Sequence, residues 1–200
     1  EIKWKFYLSL NRKFEKIAKK KKYDSNSYNF LPNNFISKIN SLDCDIVNLH
    51  WIGNNLIQIK GLSKIKKPIV WTLHDMWPYS GSEHYSLEDR YIQGYNKSNK
   101  PSDSYGLDFD RYSWELKKKY YPKDMVIIAT SSWQLNTAKK SSLFKNYKIE
   151  KISLPLNFDF WKPLDKNTSR NLFKLPNNKK IILIGSVEFD KKRKGGLLIK

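Results

Sequence analysis

The sequence has one cysteine and lacks several familiar motifs. Cys44 stands alone among 200 residues, which excludes a disulfide framework and a cysteine-based zinc site and is typical of a reducing compartment. No apolar stretch approaches the roughly 18 to 20 residues that span a bilayer. The patterns G-x-G-x-x-G, G-x-x-x-x-G-K-[ST], H-E-x-x-H and G-x-S-x-G are missing, so no motif indicates a nicotinamide, P-loop, zinc-protease or α/β-hydrolase site.

The ends of the sequence look like internal positions. It begins at Glu1 rather than Met, no secretory signal pattern follows, and residues 199–200 fall within a helical pattern. We therefore expect the sequence to be a piece of a longer protein.

Arginine is scarce although the chain is strongly basic. There are 38 Lys and Arg residues against 19 Asp and Glu, which gives a net charge of +19, and only five of the basic residues are Arg. Proteins that read nucleic-acid sequence rely on Arg to contact guanine, so we expect no specific nucleic-acid partner. One interpretation of the Lys content is a compositional bias that places Lys residues on solvated faces. The other is attraction to anionic lipid or to phosphorylated substrates.

The densest basic run is Lys19 to Lys22, and it follows apolar residues at helical spacing between Trp4 and Ala18. One interpretation is that residues 1–22 form an interfacial helix that contacts an anionic membrane surface. The other is an ordinary surface helix that packs on a core through the same apolar residues.

In the rest of the chain, continuous apolar runs alternate with stripes, which are apolar residues that recur at helical spacing. The runs predict strands at 45–50, 68–73, 125–130, 147–152 and 180–185. The stripes predict helices at 35–42, 56–65, 111–121, from about 133, and 165–174. This order predicts an α/β fold, a Rossmann-like parallel sheet with helices on both faces. We place one domain at 1–163, with a linker at 154–163, and the start of a second Rossmann-like domain at 164–200.

Residues 75–110 show no helical or strand periodicity in their apolar residues, and they contain six Trp and Tyr residues. A connection this long is usually functional or disordered. Its aromatic content predicts an ordered excursion that faces a substrate.

Two of the three histidines follow predicted strands. His50 and His74 lie at the carboxyl ends of neighbouring strands, the edge where open α/β sheets bind ligands. The alternative is that both are structural residues. Asp75 is placed to orient the His74 imidazole or to anchor the loop. A metal site from His74, Asp75, Glu83 and His84 fits no common spacing, so we expect no metal.

A second cluster of charge lies at residues 190–196, after the strand predicted to end at Gly185. Arg193 and Lys194 precede Gly195-Gly196 in a loop that leads into a helix. Cations at a helix N-terminus form an anion site suited to a diphosphate. A solvated basic run is the alternative.

Four segments together resemble a family 4 glycosyltransferase of the GT-B fold, of the kind that assembles bacterial exopolysaccharide or colanic-acid-type glycans. Residues 68–78 read P-I-V-W-T-L-H-D-M-W-P, close to the family's P-V-V-W-T-L-H-D-M-W-P, and residues 45–52 are similar to its D-V-V-H-L-H-W-I. Residues 130–144 and 189–195 resemble its S-x-W … S-S-L-F and P-R-K-G segments.

The resemblance implies a function and a set of site residues. It implies a retaining transfer of a sugar from a nucleotide-sugar to a glycan or lipid-linked acceptor, with no metal or other cofactor, in cell-surface polysaccharide synthesis. The enzyme would be cytoplasmic, with peripheral contact to the inner membrane face as a further expectation. The implied catalytic residues are His74 and Asp75, and Arg193, Lys194 and Gly185 would bind the donor. The implied acceptor-side pocket comprises His50, Trp51, Gly53, Trp77, His84 and Tyr85.

The sequence departs from the family at three places. Asn48 stands where the family has His, Ser186 where many relatives have a donor-binding Arg, and residues 154–157 replace the hinge motif. The paired donor-site glutamates of the family would follow Lys200, so we expect this chain to be inactive alone. The alternative function is a non-enzymatic basic module that binds anionic lipid or nucleic acid.

Overall fold

The chain divides into two compact units. A computed structural model describes residues 9–10, 13–14, 16–17, 26–86, 88–102, 104, 106–187 and 194–198. The contacts between its Cα atoms separate Glu1–Ser153 from Leu154–Lys200. The second unit therefore includes residues 154–163.

The first unit is built on a parallel sheet of four strands. These are β1 (Val47–Leu49), β2 (Ile69–Thr72), β3 (Val126–Ala129) and β4 (Lys148–Lys151), hydrogen-bonded in the order β1-β2-β3-β4. Every neighbouring pair is parallel, with Leu49 opposite Trp71 and Thr72 opposite Ile128. The prediction of an α/β fold with a Rossmann-like parallel sheet is thus confirmed, and the carboxyl ends of the strands share one edge.

Four of the α-helices lie close to their predicted positions, and one lies in the excursion 75–110, where the sequence predicted no helix. They are α1 (Phe35–Ser41), α2 (Arg90–Gln93), α3 (Phe109–Tyr120), α4 (Ser132–Lys140) and α5 (Lys166–Leu172). Ser131 caps α4, because its hydroxyl accepts a hydrogen bond from the Gln134 amide. Short 3₁₀ helices cover Ile59–Lys64, Trp77–Tyr79 and Gly196–Leu198.

The helix predicted at 56–65 is reduced to the 3₁₀ helix Ile59–Lys64. Asn54 and Asn55 have φ angles of 51° and 61°, a left-handed conformation that Asn tolerates and that no right-handed helix contains. The chain turns there, so helical geometry begins only after Gln58.

The core fills the space between the sheet and the excursion 75–110. Trp71 of β2, Leu73 directly after it and Ile127 of β3 are completely buried, and each stabilises the fold by roughly 1.5–3 kcal/mol on burial. The described residues of the excursion pack against this core, as the prediction of an ordered segment requires. The expectation that its aromatic residues face a substrate is wrong for four of them, because they fill this core: Trp77, Tyr79, Tyr91 and Tyr95.

The amino-terminal segment is described only in part. Most of the predicted interfacial helix, including Lys19 to Lys22, lies outside the described residues. Phe14 is described, and its ring meets those of Tyr28, Phe30 and Phe109 edge-on at centroid distances of 5.6–5.7 Å. Phe14 therefore packs on the protein, which is what the surface-helix interpretation predicts. Among the described residues, no helix has the length and apolar character needed to cross a membrane.

The second unit has little internal packing. Helix α5 is capped by Asp165, whose carboxylate accepts from the Thr168 amide, but it buries none of its residues. The strand predicted at 180–185 is wrong, since residues 181–186 carry no regular secondary structure. A strand needs a neighbour to pair with its backbone, and Ile182 and Leu183 are instead 83% and 95% exposed.

Candidate functional site

Two imidazoles meet at the carboxyl edge of the sheet. His50 directly follows β1 and His74 lies two residues after β2, so the parallel pairing of these strands places them side by side. The Nδ1 atom of His50 lies 2.9 Å from Nε2 of His74, and the rings are 5.2 Å apart between centroids. Both side chains are exposed. The other nitrogen of each ring is thus placed to contact a ligand above the edge.

Polar side chains connect the strand ends beneath the histidines. The Trp71 indole nitrogen donates to the His50 carbonyl over 2.9 Å. The Thr72 hydroxyl donates to the Asn48 carboxamide oxygen over 3.1 Å. Asn48 therefore joins β1 to β2 and keeps the two histidines in register.

The turn after β1 depends on a glycine. A Cβ atom at Gly53 would come within 2.5 Å of the Trp51 ring and 2.7 Å of the Ser27 hydroxyl. Trp51 is 41% exposed and its ring stacks on His84, with centroids 5.6 Å apart and planes 24° apart. Gly53 thus permits the indole to lie over His84.

His84 is held by a buried chain of hydrogen bonds. Its Nδ1 lies 2.5 Å from Asp75 Oδ2 and its Nε2 lies 2.7 Å from the Ser27 hydroxyl. A carboxylate only accepts, so Nδ1 carries a proton, and in the neutral ring Nε2 accepts from Ser27. The approach of the Trp51 indole nitrogen to Nδ1, at 3.4 Å, is therefore a packing contact.

The order Ser27, His84, Asp75 is that of a serine hydrolase triad. Ser27 is completely buried and His84 is 4% exposed. The Ser27 hydroxyl also accepts from the Asn54 amide at 2.9 Å. A nucleophile needs an open path to its substrate, so this chain of groups fixes the local structure and does not attack a carbonyl.

Asp75 anchors the start of the excursion. Its Oδ1 accepts from the Trp77 amide at 3.0 Å and its Oδ2 contacts His84, while its carbonyl accepts from Gln134 of α4. Both carboxylate oxygens are therefore engaged, and Asp75 holds the turn that carries His74.

Two other predicted pocket residues lie in or against the core. Trp77 is 2% exposed and its indole nitrogen donates to the Ser27 carbonyl over 2.7 Å. Tyr85 is partly buried and packs against the hydrophobic core. With His84, these residues support the edge from below, while His50, His74 and Trp51 present side chains at it.

A buried lysine, not predicted from the sequence, holds the excursion to α3. The Lys117 ammonium donates to the carbonyls of Trp77 and Gly81, and to that of Ser80 at 3.3 Å. It also lies 3.8 Å above the centre of the Trp77 ring, a cation–π distance. Burial lowers the pKa of Lys117 to about 7, although the charges of Glu83, Asp75 and Asp110 oppose that shift.

A sequence signal for this lysine existed. Asp110, Ser113 and Lys117 are spaced three and four residues apart, so they share one face of α3, and all three are buried. A polar stripe on the inward face of a helix indicates a buried network. The arginine of α2 belongs to the same region, since Arg90 donates to Asp108 over 2.6 Å and lies 3.9 Å from Asp110.

The predicted donor-binding residues belong to the second unit. Gly185 lies in the segment without secondary structure, and a Cβ there would meet no atom within 4 Å. Lys194 is exposed, and Arg193 lies outside the described residues.

Metal binding has no support in the described part of the chain. No group of three or more His, Cys, Asp or Glu side chains there is arranged to hold a metal ion. No protein-family model matches the chain, and neither does any curated protein or solved structure.

Proposed function

We propose that the chain forms part of a retaining glycosyltransferase that moves a sugar from a nucleotide-sugar to a glycan or lipid-linked acceptor. The observation that carries this proposal is the pairing of His50 with His74 at the carboxyl edge of a parallel sheet, 2.9 Å apart and exposed. It is joined to the W-T-L-H-D-M-W-P resemblance of residues 71–78, which supplies the family and the GT-B arrangement.

In this proposal His74 is the catalytic residue. A neutral imidazole donates through one nitrogen and accepts through the other. With Nε2 occupied by His50, the Nδ1 atom of His74 faces a hydroxyl of the sugar being transferred. Such a fixed contact aligns the sugar carbon with the incoming acceptor oxygen, and alignment is a large part of catalysis.

Asp75 is a positioning residue in the same scheme. Its carboxylate binds the Trp77 amide and His84 rather than solvent, so it acts on the sugar only through the turn that carries His74. His84 and Ser27 complete that support.

The leaving group requires positive charge. As the bond between the sugar carbon and the diphosphate breaks and the bond to the acceptor oxygen forms, the acceptor hydroxyl gives its proton to the departing phosphate oxygen, and negative charge collects on the nucleoside diphosphate. Fixed cations stabilise this charge, and we assign that role to Lys194 and Arg193 of the second unit.

The test is turnover by the natural full-length gene product. Release of nucleoside diphosphate is measured over a panel of nucleotide-sugars, with a cell-envelope lipid extract as acceptor. We expect His74→Ala to lower kcat by about 100-fold or more, and Lys194→Ala to raise the KM for the donor roughly tenfold. Lys179→Ala, an exposed lysine of the same unit, is the matched control and leaves both constants unchanged.

The alternative, a non-enzymatic basic module, gives the opposite pattern. It predicts binding to any polyanion that falls steeply with salt and does not change with His74→Ala. No release from any donor, together with that binding pattern, would replace the enzyme by this alternative.

A further inference from the structure

A basic cleft opens on the first unit at the sheet edge opposite to the histidines. Its volume is about 570 Å³, and it lies between α3 and residues 142–147. Lys123 precedes β3, and Asn146 and Tyr147 directly precede β4, so the cleft lies at the amino-terminal ends of these strands. Four residues of strand, about 13 Å, separate this edge from the carboxyl edge. The cleft is therefore a different site from the one proposed for sugar transfer.

Three lysines give the cleft its charge. Lys118, Lys123 and Lys145 line it and are exposed. Among the described residues, no ion pair involves any of them, and none of the described lining residues is acidic. Burial raises the pKa of the Tyr147 phenol to about 12, and the nearby Asp124 carboxylate adds to that shift, but Asp124 does not line the cleft. Lys117 also lines it, with its ammonium committed to backbone carbonyls.

The remaining lining offers neutral donors and an apolar wall. Gln93 and Asn146 contribute carboxamides, and Trp114, Leu143 and Tyr147 contribute apolar surface. Lys118 extends over the Trp114 ring, 5.1 Å from its centre, which brings that ammonium to the wall. A volume of this size is typical of small-molecule sites.

We propose that this cleft binds a soluble ligand that carries two or more phosphate groups. Three ammonium groups around one concavity attract clustered negative charge, and lysines bind phosphate as point charges without the fork geometry that Arg supplies. Concavity favours a small ligand over a flat membrane surface, because a flat surface would engage equally well the lysines that lie outside the cleft.

The experiment is calorimetric titration of the 200-residue chain with inorganic tripolyphosphate at low salt. The test variant is Lys118→Gln/Lys123→Gln/Lys145→Gln. The matched control is Lys38→Gln/Lys60→Gln/Lys64→Gln, which removes the same three charges from exposed positions outside the cleft. All six side chains are exposed, so thermal unfolding of each variant is expected to match that of the unchanged chain.

We expect the unchanged chain to bind tripolyphosphate, the cleft variant to bind at least about tenfold more weakly, and the control to stay within about twofold. Equally weakened binding in both variants would show that tripolyphosphate responds to the overall net charge rather than to the cleft, and would overturn the proposal. Absence of tripolyphosphate binding, or binding only to phosphatidylglycerol vesicles, would overturn it as well. None of these results depends on glycosyl transfer, so this proposal and the proposed function fail separately.

Discussion

The hydrogen bond between His50 and His74 requires the two neutral rings to have the same tautomer. A hydrogen bond between Nδ1 of His50 and Nε2 of His74 needs one donor and one acceptor. If His50 donates, both neutral rings carry their proton on Nδ1. If His74 donates, both carry it on Nε2. The two rings therefore have the same tautomer in either case, and the outward nitrogen of one accepts while that of the other donates.

We therefore predict that His50 and His74 show the same neutral tautomer and that His84 is protonated on Nδ1. Long-range ¹H–¹⁵N NMR at a pH where all three rings are neutral distinguishes the tautomers. His50→Ala should release His74 to a mixture of tautomers and leave His84 unchanged, because His84 is tied to Asp75 and Ser27 instead. Opposite tautomers on His50 and His74 would contradict the hydrogen bond.

The sequence predicted that His50 and His74 lie at the same edge of the sheet. It did not predict the buried hydrogen bonds of His84 that support this edge. Residues that follow neighbouring parallel strands must meet at one edge, so the strand pattern alone brings His50 and His74 together. The burial of His84 depends on Ser27, which is 57 residues away in the sequence and belongs to no regular element. No local pattern encodes such a contact.

A buried amine of helix α3 contacts the backbone of the excursion. The Lys117 side chain reaches carbonyls of the loop that follows β2, and its stripe partners Asp110 and Ser113 are buried beside it. Burial of an ammonium is costly, which is why the pKa of Lys117 falls to about 7 from the usual value of 10.5. Between those two pH values the unfolded chain holds a proton that the folded chain has released. The contribution of Lys117 to the free energy of unfolding therefore rises with pH across this window.

Lys117→Met removes this titration. We predict that the difference in free energy of unfolding between the unchanged chain and Lys117→Met increases by roughly 2 kcal/mol from pH 7 to pH 9. Urea unfolding at the two pH values measures it. Lys119→Met, an exposed position on the same helix, is the control and should give no such change. A flat difference for Lys117→Met would mean that the amine does not titrate in this window.

The strand predictions were confirmed where the apolar residues found a neighbouring strand to pair with, and were wrong where they found none. The runs at 45–50 and 125–130 became paired strands because each found a neighbour in the sheet. The run at 180–185 has the same apolar character, but its residues remain exposed and unpaired. Apolar content predicts a strand only when the rest of the sheet is available to pair with it.

On the scale of the whole molecule, the two units differ in how much of their apolar surface they bury. The first has a continuous core that runs from the sheet to the excursion. In the second, Phe158, Phe160 and Trp161 are between 62% and 76% exposed. The burial of apolar surface is the main force that stabilises a fold, so the two units are expected to have very different stabilities.

Hydrogen exchange measures that difference directly. We predict that amides of β2 and β3 exchange at least about 100-fold more slowly than those of α5, after correction for intrinsic rates measured on the urea-unfolded chain. Helix α5 has seven residues and buries none of them, and isolated helices this short are marginal in water. The strand amides donate inside a sheet flanked by Trp71, Leu73 and Ile127, all of which are completely buried. Equal protection in the two units would show that the second has a core of its own and would contradict the exposure of its apolar residues.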